Sequence, residues 1–131
     1  MVKKRVLFLC VENSARSQMA EGFTRALAGG SFDVYSAGSR PSGLVNPKAI
    51  KVMQEAGIDI SSQRSKGFED LPASCFDYVI TLGCKDVCPY LPASRHIEWK
   101  IADPGGRGIA FFRKIRDNIK REVKDFIKTT I

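Results

Sequence analysis

The sequence predicts an α/β fold, a three-layer sandwich in which a four-stranded parallel sheet, with strand order 2-1-3-4, is flanked by helices. Two observations predict it. Short apolar segments of β type alternate with helical patterns, and the breaks between them are short loops that contain Gly or Pro. Such alternation is typical of β-α-β units, whose helices cover a parallel sheet. The 131 residues, 44% of them hydrophobic, suit one domain over residues 1–131.

The strands are predicted where β-branched, aromatic and leucine residues cluster over about five positions. These segments are residues 5–9, 32–36, 78–82 and 96–101. Since the carboxyl ends of parallel strands lie at one edge of a sheet, the loops after strands 1, 3 and 4 are expected to meet there.

The helices are predicted over residues 17–28, 46–56 and 108–127. In the last of them, apolar residues recur at intervals of three and four, which indicates one buried face. We assign this stripe to the core and give it no chemistry; it consists of Phe112, Ile115, Ile119, Val123 and Phe126.

Charge and cysteine content exclude several classes of protein. The net charge is +7, but many of the basic residues lie in the last helix among acidic ones, without interleaved aromatic residues, so nucleic-acid binding is not expected. The apolar run 6–11 is too short for an export signal or a membrane span, which predicts a cytoplasmic protein without membrane contact. In that compartment, four cysteines indicate catalytic or redox chemistry rather than a disulfide framework.

Residues 10–17 form a Cys-x5-Arg-Ser segment between the first strand and the first helix. The backbone amides of such a loop point inward at a helix N-terminus and bind a tetrahedral anion without a metal. We therefore expect these residues to bind the substrate: Val11, Glu12, Asn13, Ser14, Ala15 and Arg16.

Cys10 is the predicted nucleophile of this loop. The helix dipole and the Arg16 guanidinium both favour its thiolate, and the Ser17 hydroxyl can donate a hydrogen bond to it. Arg16 can hold two oxygens of the anion through its planar fork, and Asn13 can fix the loop through its amide. The alternative is a structural cysteine at a strand end, beside an unrelated surface arginine.

A second pair of cysteines, Cys84 and Cys88, follows the third strand. One interpretation is a thiol relay, in which Cys84 attacks a covalent adduct on Cys10 and Cys88 then attacks the resulting disulfide. The alternatives are inert loop thiols or half of a zinc site, although His96 is the only histidine and no other ligand pair has metal spacing. We predict no metal, and no catalytic role for Cys75.

Asp103 begins an Asp-Pro-Gly turn after the fourth strand. Its carboxyl could protonate the departing oxygen when Cys10 attacks, provided that burial and the neighbouring thiolate keep it protonated. The alternative is an ordinary Asp-Pro turn or a cap for the helix after Gly108.

With these motifs, the chain resembles the thioredoxin-coupled arsenate reductases, which share the fold of low-molecular-weight protein tyrosine phosphatases. The resemblance runs from about residue 6 to the last helix and is most specific in residues 10–22, 36–38, 57–61, 81–89, 99 and 103–105. It implies a nucleophile at Cys10, anion binding by Arg16, a general acid at Asp103 and relay cysteines at Cys84 and Cys88.

The resemblance implies that Cys10 forms an adduct with arsenate, and that arsenite leaves as a Cys10–Cys84 disulfide forms. A Cys84–Cys88 disulfide would then be reduced by thioredoxin, so no bound cofactor is expected. Many relatives separate the relay cysteines by six residues, whereas three separate them here. Glutaredoxin with a small thiol, or another low-molecular-weight thiol, is therefore an alternative reductant. We expect a monomer.

Some relatives bind potassium behind the anion loop, where Asn13, Glu21 and Ser36 would fit the ion. An acidic ligand would be expected near residues 65 and 66, but the sequence there is Ser65-Lys66. Because the Lys66 ammonium can replace the ion, we predict no potassium requirement.

Two rival functions remain. A low-molecular-weight tyrosine phosphatase would use Cys10, Arg16 and Asp103 to hydrolyse phosphomonoesters through a phosphocysteine, but residues 105–107 offer no aromatic group for a phosphotyrosine ring. Some hydrolysis of small aryl phosphates is expected, because phosphate and arsenate are nearly isosteric. A non-enzymatic oxyanion or redox sensor would form the relay disulfide without turnover.

Overall fold

The computed structural model describes residues 3–72, 75–83 and 91–130. The strands in this part of the chain are β1 (Lys4–Cys10), β2 (Phe32–Gly38), β3 (Phe76–Leu82) and β4 (Ala93–Trp99). All pair in parallel and form one sheet in the order β2-β1-β3-β4. The predicted fold class and strand order are confirmed.

The described helices are α1 (Arg16–Ala28), α2 (Pro47–Glu55) and α3 (Ile109–Thr130), with a 3₁₀ turn at Phe68–Asp70. Helix α2 begins where Asn46 caps it, since the Asn46 side chain accepts a hydrogen bond from the Lys48 amide at 2.9 Å. None of the helices in the described ranges is both long enough and apolar enough to cross a bilayer.

Strand β4 corrects the predicted range of 96–101. It begins three residues earlier, at Ala93, and ends at Trp99. Four of its seven residues are exposed, because β4 is an edge strand, and no apolar alternation marks its start. It ends where the Ile101 amide turns back to the Trp99 carbonyl, at 3.0 Å.

The sheet buries both of its faces. In β1, Val6 and Phe8 pack in one cluster with helices α1, α2 and α3, whereas Leu7 and Leu9 pack in a second cluster on the opposite face. Within the described residues, the layer on that second face includes the 3₁₀ turn. The predicted stripe of α3 is buried in the first cluster, which confirms its assignment to the core.

Strand register brings the ends of the strands to one edge. Cys10, the last residue of β1, pairs with Gly38 of β2, and Leu82 of β3 pairs with Trp99 of β4. The loops that follow therefore leave the sheet side by side. The loop of residues 11–15, Gly83 and the segment that contains Asp103 all lie at this edge.

Helices α2 and α3 are joined by ion pairs around Glu55. Its carboxylate accepts hydrogen bonds from Arg113 Nε at 3.0 Å and Nη2 at 2.9 Å, and from Arg116 Nη1 at 3.0 Å. The Arg113 hydrogen bond is the main reason why the pKa of Glu55 is lowered to about 2, with Arg116 contributing.

Glu55→Gln should lower the melting temperature slightly at pH 7, because an exposed pair is screened by water. A carboxyl whose pKa falls from 4.5 to about 2 on folding stabilises the folded state above pH 4.5, and this contribution is lost as the pH falls to 2. Thermal unfolding at pH 7 and near pH 2 should therefore show the difference between variant and parent shrinking to zero. Glu69→Gln is the matched control, and an equal effect of both substitutions would contradict the assignment.

Candidate active site

The anion loop of residues 11–15 turns its carbonyl groups away from the pocket. Three of them accept hydrogen bonds from backbone amides of the segment after β2: Val11 O from Arg40 N at 2.8 Å, Glu12 O from Ser42 N at 3.1 Å, and Ser14 O from Asn46 N at 2.9 Å. The amides of the same peptide units therefore face the other side, as an oxyanion site requires.

Asn13 supports the loop from beneath. It is fully buried and has a left-handed backbone with φ of 49°. Its Nδ2 donates to Ser17 Oγ at 2.7 Å and to Ser36 Oγ at 3.0 Å, and its Oδ1 accepts from the Lys66 amide at 2.9 Å. Asn13 thus fixes the loop, as predicted, but it does not line the pocket.

Cys10 lies at the base of the pocket, with 2% of its surface exposed. Its Sγ is 2.9 Å from Ser17 Oγ in the first turn of α1. Because Ser17 Oγ already accepts from Asn13, its own proton is available to Cys10. The hydroxyl can therefore donate to the thiolate, which is the predicted role of Ser17.

Arg16 is 94% buried, and its guanidinium joins the start of α1 to the end of β3 and to the segment after β4. Its Nη1 donates to Leu82 O at 2.8 Å and to Ile101 O at 3.2 Å, and it lies 3.4 Å from Gly83 O. With Nη1 held by carbonyls, the Nε and Nη2 edge of the guanidinium is the part left for an anion.

Asp103 lies near the guanidinium but is open to solvent. Its Oδ2 is 3.9 Å from Arg16 Nη2, its Oδ1 accepts from the Gly105 amide at 2.9 Å, and its side chain is 67% exposed. The expected burial of this carboxyl is therefore not found in the structure. Its position at the pocket, beside Cys10 and Arg16, agrees with the prediction.

These groups enclose a pocket of ≈ 270 Å³. The anion loop and the residues on either side of it contribute Cys10, Val11, Glu12, Ser14, Ala15 and Arg16, and the neighbouring loops contribute Arg40, Asn46, Asp103 and Gly105. Sequence analysis missed Arg40, Asn46 and Gly105. The first two follow β2, whose carboxyl end lies at the same edge, so strand order alone could have indicated them. Cys84 and Cys88 lie outside the described residues.

Behind the loop, the Lys66 ammonium lies 3.2 Å from Ser36 Oγ and 3.7 Å from Glu21 Oε1. The Glu21 carboxylate also accepts from Ser36 Oγ and pairs with Arg25 at 2.8 Å. Burial lowers the pKa of Lys66 below its usual value, the attraction of Glu21 opposes this shift, and nearby Arg25 adds to it. This cation is thus connected, through Ser36, Asn13 and Ser17, to Cys10.

A parallel sheet whose first strand ends in a buried thiol, beside a loop that can bind an anion and a buried arginine, is typical of enzymes that attack tetrahedral oxyanions with a cysteine. The family model described as low molecular weight phosphotyrosine protein phosphatase matches residues 5–130. The chain belongs to this family.

The relatives with high similarity include arsenate reductases. Arsenate reductase 1 of Staphylococcus epidermidis is 44% identical over 130 residues, which cover 96% of this chain and 97% of the relative. A solved structure described as an arsenate reductase in the phosphate binding state is 40% identical, with a TM-score of 0.86, and 98% of this chain and 99% of that chain are covered. A thioredoxin-dependent arsenate reductase of Corynebacterium glutamicum is 33% identical, with a TM-score of 0.79, over 97% of this chain and 61% of that chain.

Gly38 permits the close approach of the anion loop to β2. A Cβ built at this position would lie 2.5 Å from Val11 O, 2.8 Å from Asn13 N and 3.0 Å from Glu12 C. These are backbone atoms of the loop, so they cannot move aside as a side chain could.

Gly38→Ala should therefore displace the anion loop, cost about 1–3 kcal/mol of unfolding free energy, and weaken the binding of inorganic phosphate. Calorimetric phosphate titration and denaturant unfolding measure the two effects. Gly30→Ala is the control, because a Cβ there meets nothing within 4 Å. Unchanged phosphate affinity in Gly38→Ala would contradict the role given to this contact.

Proposed function

We propose that this chain reduces arsenate to arsenite through a covalent adduct on Cys10. The observation that carries the proposal is the buried Cys10 thiol in an anion loop, in a chain 40–44% identical over nearly its whole length to arsenate reductases. The substrate fits the site, because arsenate is a tetrahedral anion of the kind that such loops bind.

In the first step, the Cys10 thiolate attacks arsenic and one oxygen leaves as water. Arg16 holds oxygens of the anion, and the Ser17 hydroxyl stabilises the thiolate before attack. Asp103 delivers a proton to the departing oxygen, and the position of its carboxyl, 3.9 Å from the Arg16 guanidinium, supports this role. The oxygen that leaves is the hydroxyl group of hydrogen arsenate, so this one proton converts it to water.

In the second step, Cys84 attacks the Cys10 sulfur. The sulfur–arsenic bond breaks, its electron pair passes to arsenic, and arsenite leaves as a Cys10–Cys84 disulfide forms. Two electrons thus pass from two thiols to arsenic. Cys88 then attacks Cys84, which frees Cys10 and leaves a Cys84–Cys88 disulfide.

We propose that thioredoxin reduces this last disulfide, in the cytoplasm and with the enzyme as a monomer. The relative from Corynebacterium glutamicum is described as thioredoxin-dependent, which supports this choice. The spacing of three residues between Cys84 and Cys88 keeps glutaredoxin with a small thiol, or another low-molecular-weight thiol, as the alternative reductant. The chemistry requires no bound cofactor or metal.

The second candidate function is phosphomonoester hydrolysis, which the matching family model favours. It would use the same Cys10, Arg16 and Asp103, with water releasing phosphate from a phosphocysteine. The described residues that line the pocket include no aromatic side chain to hold a phosphotyrosine ring, which argues against that substrate.

The decisive assay follows NADPH consumption with arsenate, thioredoxin and thioredoxin reductase. Cys84→Ser should abolish turnover, because no second thiol remains to reduce arsenic, while hydrolysis of p-nitrophenyl phosphate survives. Cys75→Ser is the matched control and should retain both activities. If neither thioredoxin nor glutaredoxin with glutathione supports NADPH consumption, while hydrolysis is rapid, the protein is a phosphatase.

We further propose that the Lys66 ammonium replaces a metal cation behind the loop. The arsenate reductase activity should be equal in sodium and potassium salts.

Lys66→Met should cost about 1–3 kcal/mol of unfolding free energy, since it removes a partner of the buried Glu21 carboxylate. It should also lower kcat/KM, because Lys66 is linked to the anion loop through Asn13. Lys51→Met, on the exposed side of α2, is the control. Potassium stimulation of the unsubstituted enzyme would refute the proposal.

A further inference from the structure

The pocket contains a second guanidinium, that of Arg40, to which the reaction steps above give no role. Its backbone is held against the anion loop, since the Arg40 amide donates to Val11 O at 2.8 Å. Its side chain is exposed and lines the same pocket as Cys10 and Arg16. Arg40 is therefore fixed by its main chain at the mouth of the site, with its charge in solvent.

Arg40 also differs from the four arginines whose ion pairs are described above. Arg16, Arg25, Arg113 and Arg116 each have a carboxylate within 4.0 Å. Over residues 3–72, 75–83 and 91–130, no carboxylate lies within that distance of Arg40. Within this part of the chain, no carboxylate is close enough to form an ion pair with the Arg40 guanidinium.

Two carboxylates at the pocket act against the capture of an anion. Glu12 and Asp103 both line the pocket, and both repel an approaching anion. Arg16 is buried, its Nη1 is held by carbonyl groups, and its Nη2 lies near Asp103. The backbone amides attract an anion only at short range, so an exposed cation at the mouth offsets the two carboxylates at longer range.

We propose that Arg40 is a specificity-determining residue that selects ligands by charge. It attracts the anionic tetrahedral substrate and does not attract the product, because arsenious acid is uncharged near neutral pH whereas arsenate and phosphate are anions. Substrate is captured and product is released at the same mouth. The assignment of arsenate and arsenite as substrate and product rests on the proposed function.

The test is titration of the full chain with inorganic phosphate, which requires no turnover. Arg40→Gln should raise the Kd for phosphate about two- to fivefold, the range measured for exposed charge pairs, and the difference should vanish near 1 M salt. Arg40→Lys should keep most of the affinity, because it keeps the charge. Neither substitution removes the backbone hydrogen bond to Val11.

The matched control is Arg95→Gln, which removes an equal charge from the exposed face of β4 outside the pocket. An equal loss of phosphate affinity in Arg95→Gln would mean that overall charge, not Arg40, sets the affinity, and would overturn the inference. So would an unchanged Kd in Arg40→Gln, or an increase that persists at 1 M salt.

Turnover adds a second, separable result. If the reductase assay works, Arg40→Gln should raise KM for arsenate by the same factor, leave kcat unchanged, and leave inhibition by added arsenite unchanged. A fall in kcat, or weaker arsenite inhibition, would overturn selection by charge. If no arsenate is reduced but phosphate binding depends on Arg40 as described, the proposed function fails and the charge-selective mouth stands.

Discussion

The structure of the site depends on the buried hydrogen bonds of Asn13. This residue adopts the left-handed conformation that lets residues 11–15 curl around an anion, a conformation that asparagine tolerates better than most residues. Its side chain then joins the loop to α1, to β2 and to residue 66. A buried network of this kind is stable only when each group is satisfied, so the thiol, the loop and the cation behind it form one unit.

Sequence reasoning succeeded where a periodic or contiguous signal existed. The stripe of α3 and the strand order follow from apolar patterns, and the anion loop follows from eight consecutive residues between a strand and a helix. It failed where tertiary contacts determine the bounds of an element or the exposure of a side chain. The start of β4 has no apolar signature because the strand is exposed, and the exposure of Asp103 depends on how its turn meets the rest of the pocket.

The segment of residues 39–46 is the clearest case of this limit. Nothing in its composition marks it as part of an active site, yet its amides hold three carbonyls of the anion loop and two of its side chains line the pocket. Its role arises from hydrogen bonds between residues about thirty positions apart in the chain. The register that sets Gly38 beside Cys10 brings this segment to the loop.

Gly83 lies directly against the Arg16 guanidinium at the edge of the sheet. Its φ of +81° suits glycine, and a Cβ there would lie 2.6 Å from Arg16 Nη1 and 2.5 Å from Ile101 O. The Arg16 guanidinium therefore packs against the residue that immediately precedes Cys84 in the chain. The missing side chain of one glycine thus lets the buried guanidinium lie directly against the backbone that leaves β3.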